Sequence, residues 1–192
     1  GDTALIGARY DDDNSKSNSG SVYVFTRSST DDGTFTQQSK LHASDAETND
    51  VFGWPVSLYG DTALIGAHGN DDNSKSNSGS VYVFKAPPPP PPSPPPLPPS
   101  PPPLFLTSLV EYATQPKLYA SDAAANDGFG VSVSLYGDTA LIGAHGDDDK
   151  SKSGSGSVYV FTRSSTDGTF TQQAKLHASD AAVDDNFGRS VS

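Results

Sequence analysis

The chain carries a recurring alternation of apolar and small polar residues that is typical of half-buried β-strands. In the stretch FGVSVSLY at 129–136, Val131, Val133 and Leu135 alternate with small residues, which is the two-residue period of a strand with one face in a core. The following stretch, TALIGA at 139–144, is almost entirely apolar or small. We therefore expect a tight turn at Gly137 between two strands, the second of them central in its sheet and covered on both faces.

Two further stretches complete this pattern. GSVYVF at 156–161 carries bulky residues on both of its faces, whereas TFTQQAKL at 169–176 is mostly polar. The apolar content thus falls along the unit, and the pattern predicts four antiparallel strands, of which the last is an outer one.

The whole pattern is repeated along the chain. GDTALIGA occurs at 1–8, 60–67 and 137–144, and each copy is followed by an Asp-rich loop and by GSVYVF. The repeat divides the chain into units 1–59, 60–136 and 137–192. Units of four antiparallel strands predict an all-β fold built from the blades of a β-propeller.

The pairs Phe-Gly at 52–53 and 129–130, with Gly-Ala at 66–67 and 143–144 followed by GSVYVF, resemble FG-GAP repeats. FG-GAP repeats are the blades of the integrin α-chain propeller and of many secreted microbial and algal proteins. The resemblance covers the chain outside 85–113 and implies a propeller in an extracellular or cell-surface protein.

The Asp-rich loops depart from that family. Its calcium-binding blades carry an Asp/Asn-rich loop between the FG strand and the GA strand, where this chain has only Tyr-Gly-Asp. The acidic loops here follow the GA strand, and a solvated turn is one interpretation of them. Adjacent carboxylates that share a calcium ion through oxygen ligands are the other. The candidate ligands are Asp11, Asp13, Asp71, Asp72, Asp147 and Asp149.

The chain opens on the second strand of a blade and closes on FGRSVS at 187–192, so the predicted strand counts are three, four, four and one. Three blades fall below the usual range of about four to eight, and we expect either a piece of a longer propeller or pairing with a neighbouring copy. Such head-to-tail contacts give a ring or a fibre. The candidate assembly residues are Leu5, Ile6, Phe187 and Val191.

A proline run interrupts the middle unit. EYATQPKLYASD at 111–122 aligns with TFTQQSKLHASD at 34–45, which places the insertion in the hairpin between the third and fourth strands. The seventeen residues 87–103 contain fourteen prolines, enough for a polyproline II rod of roughly 50 Å.

The Ser-Pro-Pro-Pro units resemble the hydroxyproline-rich segments of extensins and pherophorin-type matrix glycoproteins. That resemblance implies hydroxylated prolines with O-linked glycans; an inert spacer and an SH3 or WW ligand are the alternatives. The candidate modified residues are Pro87, Pro88, Pro89, Pro90, Pro91, Pro92, Ser93, Pro94, Pro95, Pro96, Pro98, Pro99, Ser100, Pro101, Pro102 and Pro103.

Composition narrows the function classes. A net charge of -11 argues against nucleic acid and anionic membranes as partners. The chain has no cysteine, which excludes a disulfide framework and thiolate metal sites. No apolar run approaches the length of a membrane helix.

Catalytic chemistry has little support in the sequence. The four histidines recur at equivalent positions of the repeats, His42 with His177 and His68 with His145, whereas a catalytic site is usually singular. We expect turn-side surface histidines, no catalytic residue and no required cofactor. Trp54-Pro55 replaces small residues of the other FG strands, and we expect that strand to be edge-like or bulged.

The sequence thus predicts a non-enzymatic extracellular structural or adhesive glycoprotein that assembles through its blades and carries a rigid proline strut. The alternative is a ligand-binding propeller module of a larger cell-surface adhesion protein.

Overall fold

The computed structural model of the protein describes residues 3–13, 15–27, 34–72, 74–86, 113–114, 116–149 and 151–192. In these ranges the chain is all-β, with antiparallel sheets of three or four strands. The predicted fold class, propeller blades built from antiparallel strands, is confirmed. The proline run 87–103 lies outside the described residues.

The sheets follow one another along the chain. The first sheet contains, in order, β1 (Thr3–Ala8), β2 (Ser21–Arg27) and β3 (Phe35–Leu41). The second contains β4 (Val56–Tyr59), β5 (Thr62–Ala67), β6 (Ser80–Lys85) and β7 (Ala113–Thr114). The third contains β8 (Phe129–Tyr136), β9 (Thr139–Ala144), β10 (Ser157–Arg163) and β11 (Phe170–Leu176).

The third sheet has the strand order that the sequence pattern predicts. β9 lies between β8 and β10, and β11 lies at the edge, as the falling apolar content predicts. A turn at Gly137, with φ +58°, reverses the chain between β8 and β9. The left-handed conformation is one that glycine adopts without the penalty paid by other residues.

Sheets and sequence units are offset by one strand. β4 precedes Gly60 yet pairs with β5, and β8 precedes Gly137 yet pairs with β9. The predicted counts of three, four and four strands are therefore correct. Within the single chain, residues 187–192 make one β-bridge, from Phe187 to Gly156, and their predicted pairing as the first strand of a further blade stays a prediction.

β4 is shorter than its equivalent β8. It begins at Val56, directly after Trp54-Pro55, and Trp54 makes an isolated parallel bridge to Ala67. Proline has no N–H to donate to a sheet ladder, so the regular pairing begins beyond it. The sequence predicts an edge-like or bulged strand here: β4 is the edge strand of its sheet, and the register shift lies in the equivalent β8, between Phe129 and Ser132.

The hydrophobic cores lie between neighbouring sheets. Phe52 is fully buried in the first core, edge-on to Tyr82 and Phe84 at 5.3 and 6.0 Å between ring centroids. The core between the second and third sheets repeats this arrangement around Phe129. Edge-to-face contacts of this kind stabilise aromatic clusters, so each FG phenylalanine joins two successive sheets.

Candidate functional site

The acidic loops stabilise the connections between sheets. Asp12 accepts a hydrogen bond from the backbone N–H of Asn18 at 2.8 Å, which closes the loop on itself. Asp71 and Asp148 close the other two loops in the same way. The FG segment that follows is hydrogen-bonded to the loop, since the Phe52 N–H donates to the Ser19 carbonyl at 3.0 Å.

A lysine in each loop strengthens this docking. The Nζ atoms of Lys16, Lys75 and Lys152 donate to the carbonyl oxygens of residues in the chain leading to the next FG segment. The acceptors are Ala46, Ala123 and Ala181. The loops therefore have an internal role, which is to hold each connection against the preceding blade.

A polar cluster, here called the first latch, joins the first sheet to the second. Its members are Asp45, Asn70, Tyr82 and Lys117. The Tyr82 hydroxyl donates to Asp45 Oδ1 at 2.6 Å, and Lys117 Nζ lies 2.9 Å from Asp45 Oδ2. Lys117 also donates to Asn70 Oδ1 at 3.1 Å. Asp45 follows β3, so one carboxylate of the first blade is held by two side chains of the second, Tyr82 and Lys117.

The second latch repeats this arrangement between the second and third sheets, with Asp122, Asp147, Tyr159 and Lys175. Tyr159 donates to Asp122 at 2.8 Å, and Lys175 Nζ lies 2.8 Å from both Asp122 and Asp147. Ser157 donates to Asp147 at 2.6 Å. The buried polar atoms in this latch therefore have partners, as buried polar groups must.

The latches perturb the pKa values of their members. Burial, reinforced by the charge of Asp45, raises the pKa of Tyr82 far above its ordinary value. Burial alone would raise the pKa of Asp45, but the hydrogen bonds from Tyr82 and Lys117 outweigh it and the pKa is lowered. The latch tyrosines therefore stay protonated, and the latch carboxylate is ionised at neutral pH.

The pKa of Asp127, a buried aspartate close to the second latch, is raised, whereas the pKa of Asp45 is lowered. Asp127 is 3% exposed, and burial, together with the charge of Asp147, raises its pKa to about 6. Its Oδ2 atom accepts a hydrogen bond from the Ala124 N–H at 2.6 Å. The equivalent Asp50 behind the first latch also has a raised pKa, again mainly through burial.

The first sheet carries half of such a latch. Lys40 Nζ lies 2.7 Å from Asp11 and 3.1 Å from Asp13, and 5.8 Å from the centre of the Tyr23 ring. The corresponding distance from Lys117 to Tyr82 is 5.5 Å. The lysine and tyrosine of this half-latch are thus already in the geometry of a complete latch.

The remaining half lies after β11. Asp180 and Asp185 occupy the positions of Asp45 and Asp50, but both are exposed, whereas Asp50 is buried. No tyrosine or lysine of the described residues pairs with Asp180. The molecule therefore contains two complete latches and the two complementary halves of a third.

Comparison with known families agrees with this repeating architecture. A family model described as FG-GAP repeat matches residues 1–25, 35–84, 112–161 and 170–192. The chain belongs to the FG-GAP repeat family. FG-GAP repeats typically occur in extracellular or cell-surface proteins and form β-propeller modules. No curated protein matches the chain in sequence.

The candidate calcium ligands of this FG-GAP chain contact its own donor groups. Asp11 and Asp13 pair with Lys40, and Asp147 with Lys175. Asp72 lies 3.5 Å from Lys117, Asp71 accepts from the Asn77 N–H, and Asp149 lies 3.8 Å from His177. Among the described residues no group of three or more His, Asp or Glu side chains has the arrangement of a metal site. Calcium binding stays a prediction.

Sequence reasoning missed the lysines that neutralise these carboxylates. They lie close to the acidic loops in space, although Lys40 and Lys175 are 29 and 28 residues along the chain from Asp11 and Asp147, and Lys117 is 45 residues from Asp72. The available signal was the recurrence of Lys-Leu-His/Tyr-Ala-Ser-Asp in every repeat. A lysine that recurs with an acidic loop is a candidate partner for it.

The predicted assembly residues lie on two different surfaces. Ile6 is 54% exposed on β1, and Leu5 packs partly against the first core. Phe187 is half-buried against the third sheet, where its N–H donates to the Ser155 carbonyl at 2.9 Å, and Val191 is half-buried. The structure does not test their role in assembly.

His68 and His145 lie in turns, as expected, but they are half-buried rather than at the surface. The two side chains face one another across a cavity that also contains Arg9 and Arg189. Burial lowers the pKa of both, and the charge of His145 adds to the effect on His68.

The described ranges contain no helix that is long and apolar enough to cross a bilayer.

Proposed function

We propose that this FG-GAP chain is an extracellular, non-enzymatic structural or adhesive glycoprotein whose blades associate head to tail. The observation that carries the proposal is that the two uncovered sheet faces are complementary halves of an interface found twice inside the molecule. Copies joined in this way form a ring if the rotation closes and a fibre if it does not.

The first half is the outer face of the first sheet. Ile6 is 54% exposed, whereas the equivalent Ile65 and Ile142 are 0% exposed because a preceding sheet covers them. Tyr23 and Phe25, on the same face, are half-buried, whereas Tyr82 and Phe84 are buried. Covering this apolar surface would be favourable by the hydrophobic effect.

The second half is the outer face of the third sheet. Leu176 is 45% exposed there, whereas the equivalent Leu41 is 8% exposed under the second sheet. Val160 is half-buried, whereas its equivalent Val24 is fully buried. These residues are the ones that meet the Ile, Tyr and Phe face of the next blade within the chain.

The polar groups support the same contact. A neighbouring copy that docks its third sheet on this first sheet would bring Asp180 to the half-latch formed by Tyr23 and Lys40. Lys40 carries a positive charge held by Asp11, whose own pKa is lowered by the Lys40 hydrogen bond. The second copy is favoured as the occupant because it supplies both the apolar face and the missing carboxylate.

The proline run is assigned the role of an O-glycosylated strut. Its flanks support this, because Lys85 ends β6 and Ala113 begins β7, which is the edge strand of the second sheet. These strand ends lie at the end of the blade opposite the acidic loops and the latches. A glycosylated strut attached there would leave the association surfaces accessible.

A longer cell-surface protein is the second candidate. In that case further blades of the same polypeptide would cover the two faces, and the chain would be a ligand-binding propeller module. Its membership of the FG-GAP repeat family supports this candidate.

Sedimentation velocity of the purified chain over a concentration series distinguishes the two. Head-to-tail assembly predicts a mass that rises with concentration, and it predicts that Asp180→Lys abolishes the rise because two lysines then oppose each other. Asp167→Lys, the same change in the exposed turn before β11, should assemble normally. A wild-type chain that stays monomeric at the highest concentration would contradict assembly and favour the adhesion module.

The strut has a separate test. Mass spectrometry of the peptide between Lys85 and Lys117 from native material should show hydroxylated proline and pentose additions. Unmodified prolines would contradict the strut and leave a spacer or a docking ligand as the role of this segment.

A further inference from the structure

Six residues from different blades line a cavity of about 220 Å³, here called the Arg–His cavity. It lies where the chain leaves β1, β5 and β9 and where the FG segments enter. Its lining residues are Arg9, Trp54, His68, Val131, His145 and Arg189.

These residues occupy only two positions of the repeat. Arg9, His68 and His145 directly follow the Gly-Ala pairs, while Trp54, Val131 and Arg189 directly follow the Phe-Gly pairs. The pairs themselves are identical from unit to unit, and the residues that follow them differ. The repeated frame is therefore constant, and the variation falls on the side chains that face the cavity.

The cavity is basic although the chain is strongly acidic. Neither Arg9 nor Arg189 has an ion pair with a carboxylate in the part of the chain that the structure describes. By contrast, Arg163 lies 3.0 Å from Asp138 and 3.6 Å from Asp61. In a chain of net charge -11, two unpaired arginines beside one cavity indicate a place for an external anion.

The two histidines add polar side chains to the lining of the cavity. The buried Nδ1 atoms of His68 and His145 have no hydrogen-bond partner among the described residues, and buried polar atoms usually have one. A second cavity of about 320 Å³ shares both histidines, and its other lining residues are uncharged asparagines, glycines and a valine. Carboxylates are thus absent from both lining sets.

Neighbouring residues fix the side chain of Arg9 and the backbone that precedes Arg189. The Arg9 guanidinium carbon lies 3.1 Å from the centre of the Trp54 ring, a cation–π contact. Trp54 in turn meets His68 edge-on at 6.4 Å. Ser132 Oγ donates to the Gly188 carbonyl at 2.7 Å and so fixes the backbone that presents Arg189.

We propose that the Arg–His cavity binds an oxyanion group, a carboxylate or a sulfate, of a small ligand or of an acidic saccharide. Arg guanidinium groups bind such planar or tetrahedral oxyanions through charge-assisted hydrogen bonds. The volume suits one charged group or a single sugar ring rather than a drug-sized ligand. The site lies within one chain and does not depend on assembly.

Binding should strengthen as the pH falls. The charged groups that act on His68 are His145 and Arg9, and the one that acts on His145 is Arg189. The Trp54 backbone acts in the opposite direction and raises the pKa of His68. An anion stabilises both imidazolium ions, so their protonation and anion binding support each other. We expect sulfate to bind more tightly at pH 5.5 than at pH 8.

Trp54 provides the measurement because it is the sole tryptophan of the chain. Its fluorescence is followed while sodium sulfate, sodium glucuronate or glucose is added at ionic strength held constant with sodium chloride. We expect a saturable change with the anions and none with glucose. Arg189→Gln should weaken binding about tenfold, whereas Arg163→Gln, outside the cavity, should leave it unchanged.

The three probes distinguish which kind of molecule carries the bound oxyanion group. Saturation by glucuronate alone would assign the site to an acidic saccharide, and saturation by sulfate alone to an inorganic or sulfate-ester group; both results support the proposal. A change no larger than that with chloride, an equal response to glucose, or equal affinities in wild type and Arg189→Gln would overturn it. Circular dichroism of each variant verifies that it is folded.

Discussion

At the scale of single residues, glycines permit the blades to approach closely. Gly79 has φ +82°, and a Cβ atom placed on it would lie 2.1 Å from the Phe129 carbonyl oxygen. Gly20 and Gly156 make the same approach to the carbonyls of Phe52 and Phe187. The backbone oxygen cannot move aside as a flexible side chain would, so these three positions require glycine.

Gly79→Ala should therefore be strongly destabilising. We expect a loss of more than about 3 kcal/mol in the free energy of unfolding, since left-handed strain and a backbone clash add. Gly137→Ala is the matched control, because its φ is +58° but nothing lies within 4 Å of the added Cβ. Its cost should be about 1 kcal/mol. Urea denaturation compares the two, and equal losses would refute the close approach.

Asp127 gives a pH-dependent prediction at the same scale. Its pKa is raised to about 6 in the folded state, against about 3.9 in an unfolded chain. The folded state therefore holds the proton more tightly, and this group's contribution to stability falls as pH rises from about 4 to about 6.

Asp127→Asn removes that dependence. The variant should gain about 2–3 kcal/mol in the free energy of unfolding relative to wild type between pH 4 and pH 7, measured by urea denaturation across the pH range. Asp185→Asn makes the same change at the exposed equivalent position and serves as the control for the substitution itself. A constant difference between wild type and Asp127→Asn would show that Asp127 is not perturbed.

At the scale of elements, the latches distinguish completed contacts between blades from open ones. Tyr159 is fully buried, and its hydroxyl oxygen lies within hydrogen-bonding distance of both Asp122 and Asp147. Removing that hydroxyl leaves buried carboxylate oxygens with fewer donors, which costs more than the hydrogen bond itself contributes.

Tyr159→Phe should lower the free energy of unfolding by about 1–3 kcal/mol. Tyr23→Phe, the same change in the open half-latch, should cost less, since no aspartate of a preceding blade is bound there in the single chain. Thermal unfolding of both variants at low protein concentration makes the comparison. Equal losses of stability in Tyr159→Phe and Tyr23→Phe would mean that the Tyr159 hydroxyl does not stabilise the contact between the second and third sheets.

How much of each element the sequence predicts depends on how local its determinants are. β8 and β9 have the predicted bounds because alternation, an apolar run and a glycine turn lie within one short stretch. The strand predicted at 187–192 depends on a neighbour outside this stretch, since a strand needs a hydrogen-bonded partner and among the described residues only Phe187 has one, through its bridge to Gly156. The Arg–His cavity was missed because its six residues meet only when three sheets pack together.

At the scale of the whole molecule, the blades form a series whose two outer faces match. The face with Ile6 and the face with Leu176 are the two sides of the interface that Phe52 and Phe129 close inside the chain. Six blades, from two copies, fall within the usual propeller range of about four to eight. In the proposed assembly, a closed ring and an open fibre would use the same contact and would differ only in the angle between blades.

Charge reversal across this contact tests the central claim most directly. Lys40→Glu and Asp180→Lys should each remain monomeric in sedimentation velocity, because like charges oppose each other in every contact between identical copies. An equimolar mixture should assemble, since each contact then joins opposite charges again. A mixture that stays monomeric while the wild type assembles would contradict the latch between copies, and so would a single variant that assembles as the wild type does.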